Sequence, residues 1–206
     1  MEVNRMKVLF VCTGNTCRSP MAEALLKEKM PSIEVKSAGI YASNGHPASQ
    51  GSIEVFNQKG ISLNHQSQPV TTELLTWADL VLTMTSSHKQ ALALQYPTVE
   101  KKLFTFKEYT LQDDANWEKL KKAYTELEIK RAEFINLRGK ELDRNEMDRA
   151  LYDHLRKEIS EIQVLELTQP NNDISDPFGG DATVYHKTFD EIEEYIELLI
   201  KKINNN

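Results

Sequence analysis

Two residues near the start of the chain are of types that could act as a nucleophile and as a phosphate-binding group. Cys12 and Arg18 lie six residues apart in segment 11–20, which also contains Gly14 and Ser19. A thiol near a guanidinium at the start of a helix is stabilised as the nucleophilic thiolate. The planar guanidinium suits two oxygens of a tetrahedral phosphoryl group. The spacing therefore predicts a nucleophile placed inside an anion-binding loop.

Two apolar runs must position this loop. Residues 8–11 (Val-Leu-Phe-Val) are typical of a buried parallel strand, and residues 21–26 are strong helix formers. We expect Ser19 to cap that helix and Pro20 to occupy its first turn. Free backbone N–H groups and the helix dipole then converge on one anion. The predicted phosphate-binding residues are Thr13, Gly14, Asn15, Thr16, Cys17, Arg18 and Ser19, in which Gly14 permits close approach and Asn15 tolerates a left-handed backbone.

The pattern is typical of a phosphatase that forms a phosphocysteine. The alternative is a buried structural cysteine that happens to precede a surface arginine. Ser19 is expected to donate a hydrogen bond to the thiolate and to stabilise it as a leaving group. Cys17 has two interpretations: it packs behind the loop as a small apolar residue, or it forms a reversible protective disulfide with Cys12.

Composition limits the partners and the compartment. The 206 residues carry a formal charge of −6, which argues against nucleic acid or an anionic membrane as a partner. No apolar run reaches the roughly 20 residues of a membrane span, and we expect no signal peptide. Both cysteines lie in one loop, so we expect a reducing cytoplasm. No metal or cofactor is predicted, because the histidines are scattered and expected at surface or capping positions: His46, His65, His88, His154 and His186.

The apolar pattern predicts an α/β fold with an insertion. Strands are expected at 6–11, 33–37, 79–84 and 103–106, with helices between them, which implies a parallel sheet that binds ligands at its carboxyl ends. Apolar residues spaced three and four apart predict an antiparallel helical hairpin at about 113–169, interrupted near Gly139. A last helix is expected from Thr183 or Thr188 to Lys202. We therefore predict one domain, 1–206, whose inserted hairpin is structural, binds a protein partner or self-associates.

Four segments carry a resemblance to a known family. Residues 12–20, 37–39 (Ser-Ala-Gly), 79–84 and 176–177 (Asp-Pro) resemble the low-molecular-weight protein tyrosine phosphatases. The resemblance covers about 6–109 and 174 onward, and implies a three-layer sandwich around a four-stranded parallel sheet. The resemblance implies that Cys12 is the nucleophile, that Arg18 binds the phosphate and the transition state, and that Asp176 is the general acid. Phosphoprotein substrates follow, and no metal is needed because Arg18 and the loop N–H groups hold the charge.

Thr16 and Phe178 bear on the substrate. Tyrosine-directed members commonly carry an aliphatic residue at Thr16, whereas threonine there, with residues 176–180, is similar to the protein arginine phosphatase branch. A hydroxyl in the pocket wall can meet the N–H groups of a phosphoguanidinium, while a phosphotyrosine ring prefers an apolar wall. Phe178 is expected at the pocket mouth. Phosphoarginine is the preferred substrate, and Thr16 as a plain β-branched filler is the alternative.

Three other functions are weighed against this one. A phosphotyrosine phosphatase would use the same loop, and a phosphoprotein-binding module would use it without turnover. Arsenate reductases share the fold and loop, but the thiol-linked ones relay a disulfide through further cysteines. This chain has two cysteines, which disfavours that route.

Overall fold

A computed structural model describes residues 5–111, 114–139, 142–167 and 171–205, without the side chains of 114–118. The chain forms two compact units, one from residues before 112 together with those after 171, the other from 112–171. The predicted hairpin boundaries, Asp113 and Gln169, lie outside the described residues. The single-domain organisation remains a prediction.

The larger unit is built on a four-stranded parallel sheet. Its strands are β1 (Lys7–Cys12), β2 (Glu34–Gly39), β3 (Leu80–Thr83) and β4 (Leu103–Thr105). The order is β2-β1-β3-β4, so the chain reverses direction across the sheet between β1 and β3. This is the switch point at which parallel sheets open a ligand crevice. The predicted strands and their parallel pairing are confirmed, with ends displaced by one or two residues.

Helices cover both faces of this sheet. In chain order they are α1 (Arg18–Lys29), α2 (Gln50–Gln58), α3 (Thr72–Trp77), α4 (Ser86–Gln95), α5 (Phe106–Leu111) and α8 (Ala182–Asn204), with a 3₁₀ helix at Pro97–Lys102. Apolar residues of α1, α2, α5 and α8 pack into one cluster, and those of α3 and α4 into another. The three-layer sandwich is therefore confirmed.

The alternation of β1 explains its unbroken apolar sequence. Val8 and Phe10 belong to the cluster with α1 and α8, while Leu9 and Val11 belong to the cluster with α3 and α4. All four side chains are fully buried. A strand covered on both faces has no position at which a polar residue would meet water.

The prediction that Ser19 caps the first helix is wrong. Helix α1 begins at Arg18, so Ser19 lies inside its first turn and does not cap it. The cap of α4 is Thr85, whose side chain accepts from the His88 N–H. Helix α8 begins after Asp181, which caps it, so the predicted start at Thr183 is confirmed within one residue and the alternative start at Thr188 is wrong. In α4 and α8 the residue directly before the helix supplies the capping side chain, whereas no side chain caps α1.

The smaller unit is a pair of helices, α6 (Asp114–Arg138) and α7 (Arg144–Leu167). Tyr124 donates to Glu166, and the rings of Phe134 and His154 lie 4.7 Å apart. Residues further along α6 thus contact residues nearer the start of α7, so the two helices are antiparallel. The core of this unit is small and consists of Leu120, Ala123 and Ile162, with Leu127 and Leu165 packed against it.

Candidate active site

The loop between β1 and α1 places a thiol and a guanidinium at the switch point of the sheet. Cys12 is the last residue of β1 and Arg18 the first of α1, and each is less than 5% exposed. Asn15 has φ of 54°, the one positive φ among the described non-glycine residues. The left-handed residue bends the chain so that successive backbone N–H groups face inward.

Two hydrogen-bond donors face the sulfur of Cys12. The Asn15 backbone N–H donates to Sγ over 3.2 Å, and the Ser19 hydroxyl lies 3.0 Å from the same atom. Ser19 Oγ in turn accepts from the Asn15 amide over 2.9 Å. The Ser19 hydroxyl proton has two acceptors within reach, the sulfur at 3.0 Å and the Ala38 carbonyl oxygen at 3.5 Å, and when donated to sulfur it stabilises a thiolate.

Asn15 and Ser19 support the loop from behind and do not line its pocket. The fully buried Asn15 amide also donates to Ser37 Oγ over 2.8 Å and accepts from the Gln68 N–H over 2.9 Å. The loop conformation is therefore fixed by β2 and by the segment after α2, far from it in sequence. Gly39, at the end of β2, leaves room for this contact, because a Cβ there would come within 2.6 Å of the Thr13 carbonyl oxygen.

Arg18 joins the loop to a segment 158 residues further along the chain. Its Nη2 donates to Asp176 Oδ2 over 2.7 Å, and its Nη1 donates to the Ile174 carbonyl over 3.4 Å. The guanidinium is buried while about half of the Asp176 side chain is exposed. The structure thus brings together Cys12, Arg18 and Asp176, the three residues predicted to be catalytic.

These residues line a pocket of about 240 Å³, whose wall comprises Cys12, Thr13, Gly14, Thr16, Cys17, Arg18, Asp176 and Phe178. Phe178 is 79% exposed and stands beside the cavity as predicted for the pocket mouth. The Cys17 sulfur donates to Ser49 Oγ over 3.3 Å and lies 3.7 Å from the Tyr185 hydroxyl. Cys17 thus packs against α2 and α8 while contributing to the wall.

The prediction that all histidines occupy surface or capping positions is wrong for two of them. His88 is buried, with Nε2 lying 2.8 Å from Thr13 Oγ1 and Nδ1 lying 2.8 Å from Thr85 Oγ1. His65 Nε2 lies 2.8 Å from the carbonyl oxygen of Asn15. A signal existed for His88, because it follows β3 and the carboxyl end of β3 adjoins that of β1.

Protonation of His88 is expected to make stability depend on pH. Burial, and then the charge of Arg18, lower its pKa to about 4, against the opposing carboxylates Asp176 and Asp173. Between about pH 4 and about pH 6.5 the unfolded chain binds the extra proton, so the free energy of unfolding rises with pH in this window. The loss towards low pH is on the order of 2 kcal/mol after solvent screening.

Chemical denaturation across that window checks this expectation. His88→Gln should flatten the rise in the free energy of unfolding relative to the native chain. The matched control is His46→Gln, since His46 is exposed. Equal pH slopes for native chain and His88→Gln would contradict the assignment.

Two further observations concern metals and membranes. Within residues 5–111, 114–139, 142–167 and 171–205, no three His, Cys, Asp or Glu side chains are grouped so that they could hold a metal ion. No helix in the described parts of the chain combines the length and apolar character of a membrane span.

Comparison with known proteins identifies the class to which this fold and loop belong. Residues 7–138 match the family model described as low molecular weight phosphotyrosine protein phosphatase. The chain therefore belongs to this family of protein phosphatases, which confirms the resemblance seen in segments 12–20, 37–39 and 79–84.

Individual relatives refine the comparison. The protein-arginine-phosphatase of Bacillus subtilis is 34% identical over 205 residues, covering 98% of this chain and 99% of that protein. The probable low molecular weight protein-tyrosine-phosphatase EpsP of Ralstonia nicotianae is 40% identical over 110 residues, covering 53% of this chain and 76% of that protein. A solved structure of the YwlE arginine phosphatase superimposes with a TM-score of 0.67 at 33% identity, covering 98% of this chain and 97% of that one. It is a cysteine-to-serine mutant with a phosphorylated active-site serine.

Proposed function

We propose that this protein hydrolyses phosphoarginine in proteins through a phosphocysteine formed at Cys12. The observation that carries the proposal is the convergence of Cys12, Arg18 and Asp176 on one pocket that has Thr16 in its wall. The comparisons support the proposal, because the match to a protein-arginine-phosphatase covers nearly the whole chain. The match to the tyrosine-phosphatase EpsP covers about half of it.

In the first step the Cys12 thiolate attacks phosphorus in line with the leaving guanidine nitrogen. A P–S bond forms as the P–N bond breaks, and Asp176 gives its proton to that nitrogen. Arg18 and the N–H groups of the loop bind the equatorial oxygens, as the predicted roles of residues 13–19 require. Phosphoryl oxygens compete with Asp176 for the guanidinium, which releases the carboxyl group towards the leaving group.

In the second step water attacks the phosphocysteine. The Asp176 carboxylate takes a proton from this water, inorganic phosphate forms, and the P–S bond breaks. The departing thiolate is stabilised by the two donors that face it, the Asn15 N–H and the Ser19 hydroxyl. The phosphorylated serine in the YwlE mutant supports this sequence, because that side chain accepted a phosphoryl group in a related loop.

Thr16 and Phe178 are proposed to select the substrate. Thr16 places a hydroxyl in the pocket wall, where it can accept from a guanidinium N–H. Phe178 offers an exposed flat surface against which a planar leaving group can stack. Phosphotyrosine is the second candidate substrate, supported by the family description and by the aromatic side chain at the mouth.

Thr16→Ile is expected to shift the substrate preference by about tenfold or more, because it replaces a hydroxyl with an apolar group. The kcat/KM for a phosphoarginine peptide should fall and that for a phosphotyrosine peptide should hold or rise. Thr16→Ser is the matched control, since it keeps the hydroxyl and should keep the preference. A native chain that prefers phosphotyrosine, with no change in Thr16→Ile, would show the substrate assignment to be wrong.

We also propose the finer properties expected from the sequence. We propose a cytoplasmic location because both cysteines, Cys12 and Cys17, are free thiols. We also propose that these two thiols form a reversible disulfide on oxidation. If mass spectrometry of mildly oxidised protein finds no loss of two hydrogens, the disulfide is excluded. Binding of a partner or a second copy through α6 and α7 rests on the small core of that unit. A monomeric mass at high concentration would exclude self-association.

A further inference from the structure

An ion pair whose lysine is buried and whose glutamate is partly exposed lies next to the loop that carries Asp176. Ser175, the residue before Asp176, donates twice to one carboxylate oxygen: its N–H to Glu191 Oε2 over 3.0 Å and its hydroxyl to the same atom over 2.6 Å. The Ser175 hydroxyl also lies 3.0 Å from Thr188 Oγ1. Both backbone and side chain of Ser175 are therefore fixed against α8.

The acceptor is itself held in place. Glu191 Oε1 lies 2.6 Å from Nζ of Lys107, a lysine of α5 that is 8% exposed. The Lys107 ammonium also lies 5.3 Å from the ring centre of Tyr195. The pair fixes geometry because the buried Lys107 ammonium would be costly without its carboxylate partner. Burial raises the pKa of Glu191, but hydrogen bonds from Lys107 and Ser175 outweigh it and lower the pKa.

Residues 173–174, which precede Ser175 in this loop, are held by hydrogen bonds, whereas Asp176 and Phe178 after it are exposed. The Ile174 N–H donates to the Met84 carbonyl over 2.8 Å, and Asp173 accepts from both the N–H and the hydroxyl of Ser86. Beyond Ser175 the side chains of Asp176 and Phe178 are exposed. The anchor at Glu191 is thus one residue from the carboxyl group that must meet the leaving group.

We infer that Glu191, held by Lys107, is a positioning residue that aims Asp176 at the leaving group. Glu191 touches no reacting atom and acts through Ser175. This inference rests on the proposed function, in which Asp176 is the general acid. Under this inference the loop between β1 and α1 binds the phosphoryl group, and a separate set of residues, Asp176, Ser175 and Glu191, delivers the proton.

Leaving groups of different acidity test the inference. Phenolate from phenyl phosphate needs a proton to depart, whereas 2,4-dinitrophenolate does not. Glu191→Gln cannot accept from Ser175 and Lys107 together, so we expect its kcat/KM to fall about tenfold for phenyl phosphate and less than about twofold for 2,4-dinitrophenyl phosphate. Glu194→Gln, an exposed position on the same helix, is the matched control and should change neither value.

Asp176→Asn provides the reference for loss of the general acid. It should lower kcat/KM for phenyl phosphate by on the order of 10²-fold, again sparing 2,4-dinitrophenyl phosphate. Adding Glu191→Gln to Asp176→Asn should cause no further selective loss, because residues that act as one unit are not additive. Ser175→Ala keeps the Lys107–Glu191 pair and should reproduce a smaller selective loss, which covers the case in which Glu191→Gln does not fold.

The outcomes separate the inference from the proposed function. Equal losses on both substrates in Glu191→Gln or Ser175→Ala, with a selective loss in Asp176→Asn, would overturn the positioning role alone. Absence of selectivity in Asp176→Asn would overturn the general-acid assignment and the inference with it.

Discussion

Cys12→Ser is expected to reduce phosphate release by on the order of 10⁴-fold or more, because a serine hydroxyl is far less ionised than a thiol and this loop holds no base to activate it. The donors that face Sγ, the Asn15 N–H and the Ser19 hydroxyl, stabilise an anion but do not remove a proton. Steady-state phosphate release from a phosphoarginine peptide measures the effect.

Binding provides the control for this substitution. The Kd of Cys12→Ser for the peptide should stay within a few-fold of that of a catalytically slow reference such as Asp176→Asn, because Arg18 and the loop N–H groups remain. Full turnover by Cys12→Ser would refute the phosphocysteine mechanism. A native chain that binds the peptide and releases no phosphate would instead establish the phosphoprotein-binding module.

Arg18→Lys is expected to lower kcat/KM by on the order of 10³-fold even though the positive charge remains. The guanidinium contacts Asp176 through one nitrogen and the Ile174 carbonyl through the other, and a single ammonium cannot span both positions. The same change removes the paired N–H groups that we propose bind two equatorial phosphoryl oxygens in the transition state.

Two measurements distinguish this loss from a loss of folding. The thermal unfolding midpoint should move by a few degrees only, and inhibition by inorganic phosphate should weaken together with kcat/KM. Arg5→Lys, at an exposed position, is the matched control and should behave as the native chain. Native kcat/KM in Arg18→Lys would mean that the backbone loop alone binds the phosphoryl group.

Features set by neighbours in sequence were predictable. The apolar residues of β1 had to be covered on two faces, which required a parallel sheet, and the position of Cys12 at the end of that strand followed. Gly60, with φ of +74°, follows the end of α2, where glycine is the usual residue to stop a helix. Asn15 was expected to tolerate a left-handed backbone, which its short polar side chain permits, and its φ of 54° agrees with that expectation.

Features set by distant contacts were not predictable from single residues. Asp176 is one acidic residue among 31 and was singled out by the family resemblance, since its pairing with Arg18 spans 158 residues. His88 reaches Thr13 across 75 residues, and Glu191 reaches Lys107 from a different helix. Thr188 and Glu191 have the spacing of a capping box, but the start of α8 at Ala182 frees both to bind Ser175.

The position of α8 in the chain has a consequence for how activity arises during synthesis. The nucleophile loop leaves the ribosome early, but the segment made after α7 supplies Asp176, the anchor Glu191 and four fully buried core residues, Phe189, Ile192, Ile196 and Leu199. Until that segment emerges, the face of the sheet that α1, α2 and α5 also cover lacks the core residues of α8, and the loop lacks its proposed general acid. The proposed proton delivery by Asp176 and the completion of the core are therefore acquired in the same folding event.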